Sequence, residues 1–291
     1  MVASINRPLA QRLLAVMDQK DHWAYASLTR PGLSRAQLLV HFQHEYLVYV
    51  RDFPALLARV LGQTPPLADV RAALAENIYE EQTGGLSRSG PHPDLFLCMM
   101  EGLGFERRLF EERACALHPA AEHYRALLCD AAGGAPWQAA CAALTIFVEG
   151  SRNERAELSG TFVRPQGDDA VTRHPLVVHY GCRPEAMKLT RAHGAIEGAH
   201  RNDAWRIVLD NVRDDDAALV HAVTHTCERL LWAWHRYRDG VAELMGLRIA
   251  DSAAASVEAG GPRLVLPGAA TLSVTPRRAG LAETSRSRRS S

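Results

Sequence analysis

Lysine is nearly absent. Only Lys20 and Lys188 occur among 291 residues, so the basic charge is almost all arginine, and 33 acidic residues cancel 33 basic ones. A chain without net charge has no overall field to draw it to nucleic acid or an anionic membrane, so neither is expected and a small molecule is the expected partner. Paired cysteines are also missing. Cys98, Cys115, Cys129, Cys141, Cys182 and Cys227 form no C-x-x-C spacing, and several fall in apolar helical patterns. Reduced, mostly buried thiols in a cytoplasmic protein are the expectation, and a zinc ribbon is not. No apolar run approaches ~18 residues, and "MVASINRPLAQRLL" has neither a long apolar stretch nor a small-residue cleavage site, which argues against a membrane span or export.

Alternating, strand-like runs are lacking as well, and helical periodicity takes their place. From Ser34 onward, Leu39, Phe42, Tyr46, Tyr49, Phe53, Leu57 and Val60 recur at steps of three and four, the stripe of one long helix that Pro54 should kink. Further helices are expected at 6–20, 67–84, 92–103, 119–132, 136–160, 184–211 and 215–246, separated by Gly and Pro punctuation such as "TGGLSRSGPHP" and "AAGGAPW". The fold class is therefore all-α, a helical bundle over residues 1–248. Residues 249–291 are rich in Ala, Gly, Ser and Arg, with too few large apolar groups to offset the entropy of ordering, and read as a flexible tail.

The stretch "HGAIEGAH" places His193, Glu197 and His200 at i, i+4 and i+7, so two imidazoles and a carboxylate share one side of a helix. A solvated pair is the plain alternative. In a bundle, however, inward side chains of facing helices are where metal sites are built. One helix cannot close such a site, because a redox metal bound by carboxylates and histidines needs donors from several directions. Glu81 ends one predicted helix and His92 starts the next, and Glu149 stands alone at the end of an apolar run, where a buried carboxylate without a partner is expensive. Carboxylates and imidazoles together suit a redox-active divalent metal with positions left open for oxygen or substrate. No glutamate follows His193 to make the H-E-x-x-H of a zinc protease, and Glu197-x-x-His200 has no second copy as a ferritin-like site requires.

For substrate binding the candidate read from position is Arg152, one turn beyond Glu149. An arginine fork beside a metal suits a carboxylate, with surface pairing as the alternative. His41 and His44 read as an exposed helix turn, His221 and His225 as a surface pair, and His179 as a residue near the pocket mouth.

Carboxylate, histidine, carboxylate, then H-x3-E-x2-H on successive helices resembles the haem-oxygenase-like di-iron oxidases and oxygenases, relatives of pyrroloquinoline-quinone synthase C and the thiaminase II proteins. The resemblance spans about residues 10 to 246. It implies a haem-oxygenase-like bundle of seven to eight helices, with two iron ions held by Glu81, His92, Glu149, His193, Glu197 and His200. It also implies use of O2 on a small amino- or carboxylate-bearing metabolite in natural-product biosynthesis, by N-oxygenation, desaturation or oxidative C–C cleavage. The resemblance alone adds Glu45 and Tyr49, on the long second helix, as substrate-binding candidates. Many members have Asp where this chain has Glu197. Glu80 rivals Glu81 for the first position, and Glu81 is preferred because it precedes the "QTGG" turn as the second member of the family's acidic pair does. A cofactor-free oxidase similar to pyrroloquinoline-quinone synthase C and a non-enzymatic helical binding protein remain as alternatives, and the oligomeric state is open, with a homodimer compatible.

Overall fold

Proline and short polar side chains set the helix starts. The structure, a computed structural model, describes residues 5–134 and 136–249, apart from the side chains of Ala195, Glu197 and Ala199. Its principal helices are α1 (Pro8–Asp18), α2 (Arg35–Glu45), α3 (Phe53–Gln63), α4 (Ala68–Thr83), α5 (His92–Gly102), α6 (Pro119–Gly133), α7 (Trp137–Cys141), α8 (Lys188–Asp210) and α9 (Ala217–Leu244). Proline occupies one of the first two positions of α1, α3, α5 and α6, where its missing N–H has no intrahelical partner to lose. Ser34 and Gln37 close a capping box at the start of α2, each side chain accepting from the other's backbone N–H. No strand occurs among the described residues, so the chain is all-α as expected. Apart from Ile249, the expected tail lies outside the described residues.

Two expected helices are broken, and both breaks matter to the site. The helix read from Ser34 through Val60 ends after α2 in a π-helical stretch, Tyr46–Val50. The chain then turns at Arg51 and Asp52, and Pro54 starts α3 rather than kinking a continuous rod. Likewise the helix expected over 136–160 is α7 followed by a π-helical stretch, Ala142–Val148, after which the chain turns and resumes only as Glu154–Leu158. Widened turns of this kind arise at functional sites because they re-aim side chains that a regular helix would place elsewhere. Gly150 follows directly: a Cβ there would lie 2.3 Å from the Ile146 carbonyl oxygen and 2.7 Å from Met17 Cε.

Packing gathers around α9, which lies against α6, α1, α7 and the second π stretch. Its buried residues Val223, Cys227, Leu230, Trp234, Tyr237 and Val241 recur at steps of three and four and form one apolar side. They belong to the main core with Leu13, Leu57, Tyr124, Phe147 and Trp205. A second apolar cluster joins α2, α5 and the start of α8 through Phe42, Tyr46, Phe96, Met100, Phe110 and Leu189. All six cysteines are free; Cys141, Cys182 and Cys227 are buried and the other three are partly exposed. No described helix is long and apolar enough to cross a membrane.

Candidate metal centre

Where the two apolar clusters meet, a cavity of about 180 Å³ opens between several elements. Tyr49 and Val50 come from the first π stretch and Phe53 from α3; Glu81 ends α4 and His92 begins α5. Thr145, Val148, Glu149 and Gly150 come from the second π stretch and the turn after it; Leu189, His193, Ile196, His200 and Arg201 come from α8. Five of the six expected ligands, Glu81, His92, Glu149, His193 and His200, therefore line one cavity. Glu197 lies on the same helix, and its side chain is outside the described set.

The joining of Glu81 to His92 is local. Gly84 ends α4 at φ 63°, a left-handed conformation that a Cβ disfavours, and a Cβ there would also lie 2.2 Å from the backbone nitrogen of Gly90. The resulting tight loop returns the chain so that His92 Nδ1 lies 2.9 Å from Glu81 Oε1 and His92 Nε2 lies 3.2 Å from Glu80 Oε1. Burial alone would lower the His92 pKa; Glu81 and Glu80 outweigh it and raise it. On α8, His193 meets His92 edge-on with ring centres 5.0 Å apart. Glu81, His92 and His193 each offer a ligand atom, and these atoms lie within 4.8 Å of one another.

The second group is looser. Glu149 is half-buried rather than isolated, and Asn77, one turn before Glu81 on α4, donates to its Oε1 at 2.7 Å. The turn carrying Glu149 is held by Lys20, whose ammonium donates to the carbonyls of Phe147 (2.5 Å), Val148 (3.0 Å) and Gly150 (2.7 Å). Burial and nearby Arg238 push the Lys20 pKa down to about 7, yet three carbonyl acceptors around one nitrogen are the geometry of the charged form, which we take as the state present. Burial lowers the His200 pKa.

Two observations test whether this set suits a metal. His200 Nε2 is buried with no hydrogen-bond partner, and His92 Nδ1, although 2.9 Å from Glu81, also fails to make a hydrogen bond with acceptable geometry. Buried imidazole nitrogens without a bond are costly unless something else takes the lone pair. With carboxylates beside them, the donor set is that of a non-haem iron or similar divalent ion, and it fits.

The chain matches the model of a family described as iron-containing redox enzymes over residues 40–235. The chain belongs to that family. The iron-containing redox enzyme match begins in α2 and ends within α9, so it spans every element that contributes to the cavity. It makes the protein an oxidoreductase and accords with the haem-oxygenase-like bundle. No curated protein matches the chain.

Several expectations about substrate contacts are corrected. Arg152 does not line the cavity: its side chain is 57% exposed and pairs with Asp21 at 2.5 Å, because the turn after Glu149 points it outward. Glu45 does not line the cavity either; it is held by Arg238 at 2.7 Å and His41 at 3.5 Å, and burial of its carboxylate is outweighed by these partners, which hold its pKa well below the usual range. Tyr49 does line the cavity, with its hydroxyl bonded to Glu45 at 3.1 Å. His41 and His44 are buried rather than exposed: His44 Nε2 accepts from the His118 backbone N–H and its Nδ1 meets the Val40 carbonyl. His179 is exposed and outside the cavity lining, and His221 and His225 are exposed and stacked on each other at 5.2 Å.

Other cavity residues were missed. Glu154 is 1% exposed, takes the Trp205 indole N–H at 2.8 Å and pairs with Arg201 at 3.3 Å. Arg201 pairs in turn with Glu157. Burial raises the Glu154 pKa against the pull of Trp205 and Arg201. Arg201 directly follows His200 on α8, and Glu154 lies five residues after Glu149; neither spacing carries a recognisable pattern, because the pairing of the two depends on how the irregular turn before Glu154 meets α8.

Proposed function

We propose that the protein is an O2-dependent non-haem di-iron oxidase or oxygenase acting on a small amino- or carboxylate-bearing metabolite. Glu81, His92 and His193 would hold one iron, and Glu149 and His200, with Glu197, the other. The single observation that carries the reading is that five expected ligands share one cavity in which His92 Nδ1 and His200 Nε2 are buried without a hydrogen bond. When bound, iron would supply the redox chemistry with O2.

The chain's own residues do the rest. Val50, Phe53, Val148, Leu189 and Ile196 make the greater part of the wall apolar and limit water around the ligands. The paired Glu154 and Arg201 form a polar wall suited to an amino or carboxylate head, which leaves the remainder of the substrate against the apolar side. A cavity of about 180 Å³ admits a molecule of amino-acid size. N-oxygenation, desaturation and oxidative C–C cleavage fall within this class, and a role in cytoplasmic natural-product biosynthesis follows from the same reading.

Anaerobic titration of the metal-free protein with ferrous iron tests it. Two ions bound per chain, followed by oxygen uptake that accelerates with a small amino acid or carboxylate, is the expected result. Oxygen-dependent turnover at full rate by protein holding no iron would overturn it in favour of a cofactor-free oxidase.

A further inference from the structure

Glu80 sits next to Glu81 on α4 and is fully buried, yet it faces a different set of partners. Its Oε2 accepts from the backbone N–H of Leu86 at 2.7 Å and of Ser87 at 3.0 Å. Its Oε1 accepts from the Ser87 hydroxyl and lies 3.2 Å from His92 Nε2. Both oxygens are therefore occupied by the loop that joins α4 to α5 and by the far side of the His92 ring. The near side, Nδ1, lies 2.9 Å from Glu81 Oε1 but without hydrogen-bond geometry, whereas the contact of Nε2 with Glu80 has that geometry. A carboxylate held by two backbone N–H donors, whose polarity cannot change, and by a serine hydroxyl stays an acceptor, and an acceptor at Nε2 favours the ring's proton there.

We infer that Glu80 is the positioning residue of His92: it holds the imidazole as the Nε2–H tautomer, so that the Nδ1 lone pair is presented to a metal beside Glu81. This rests on the proposed metal reading for its purpose but not for its geometry. It also divides the adjacent acidic pair by role, with Glu81 a ligand and Glu80 the partner that orients one. A histidine ligand held through its other nitrogen by a carboxylate is oriented and made more basic, and loss of such a partner lowers metal affinity by about 10–100-fold.

Glu80→Gln separates this role from mere packing. Its side-chain oxygen must still face the N–H groups of Leu86 and Ser87, which turns the NH2 toward His92 Nε2 and drives the ring proton to Nδ1. In metal-free protein, at a pH where His92 is neutral, the imidazole 15N shifts should report Nε2–H in the parent chain and Nδ1–H in Glu80→Gln. Affinity for Co(II), used as a spectroscopic probe, should fall about 10–100-fold while the absorption spectrum of the bound ion keeps its shape. Ser87→Ala removes one bond to Glu80 without touching the ring, and should leave tautomer and affinity unchanged. An Nδ1–H tautomer in the parent protein would overturn the inference even if Glu80→Gln did not fold. A Co(II) spectrum reshaped by Glu80→Gln would overturn it differently, by making Glu80 itself a ligand. Failure of the metal reading is distinguishable: Co(II) affinity unaffected by Glu81→Ala would end that reading, while the tautomer measurement stands without any metal.

Discussion

At one end of the cavity Glu81, His92 and His193 bring ligand atoms within 4.8 Å of one another, and Glu80 meets the outer nitrogen of His92. At the other end Glu149 is engaged by Asn77, its turn is capped by Lys20, and His200 Nε2 meets no hydrogen-bond partner. The first group is built from two helix ends, the tight loop between them and one facing helix. In the second, His200 shares that facing helix, but Glu149 depends on a π-helical stretch that ends in an irregular turn. The difference lies between Glu81 and Glu149: the first is placed by a helix end, the second by a turn that Lys20 and Asn77 hold.

Removing a ligand from the converged end is expected to have the largest effect. His92→Ala and Glu81→Ala should each lower the affinity of that end for ferrous iron by more than about 100-fold, beyond what loss of an outer partner costs, as measured by competition with a chelator. Equal losses from the same change at Glu149 would erase the contrast between the ends. Lys20→Met comes next. It leaves the carbonyls of Phe147, Val148 and Gly150 buried without their donor, and should destabilise the protein by about 1–3 kcal/mol in urea unfolding. Asn77→Ala is milder and should weaken metal binding by about tenfold at the Glu149 end alone, resolved by titrating one ion at a time.

The smallest effect sets the two histidines against each other. His92 has a raised pKa, so its contribution to the metal-free fold is complete below the ordinary imidazole value and is lost as pH rises through the raised one. The lowered pKa of His200 works in the opposite sense: stability falls as pH drops through the ordinary value toward the lowered one, because the unfolded chain takes up the proton first. Thermal midpoints of metal-free protein between about pH 5 and 8 should therefore show a shallower acid-side decline in His200→Phe and not in His92→Phe, the remaining decline coming from His22, His44 and His174, whose pKa values burial also lowers. A parallel change in both would show that the two rings share one environment.

Helix spacing made α4, α5, α6, α8 and α9 legible, since apolar steps of three and four survive any arrangement that buries one side. The same rule failed where the ladder widens. Tyr46–Val50 and Ala142–Val148 look like ordinary helix, and nothing in their residue types marks the change to a five-residue hydrogen bond. Arg152 was misplaced for this reason: a regular helix would stack it above Glu149, but the chain leaves the helix in between. His41 and His44 were misread because burial of a histidine depends on what lies across from it, here the Tyr25 ring and the His118 backbone.

Sequence alone determined the fold class, the balance of charge, and the order of carboxylates and histidines along successive helices. Those follow from periodicity and composition, which are properties of neighbours in the chain. Tertiary structure decided that Glu81 rather than Glu80 faces the cavity, that Arg201 and not Arg152 stands at its wall, and that Lys20 supports the turn at Glu149. Each of these is a contact between helices or across an irregular turn, and the direction of a side chain there is set by the packing of distant segments.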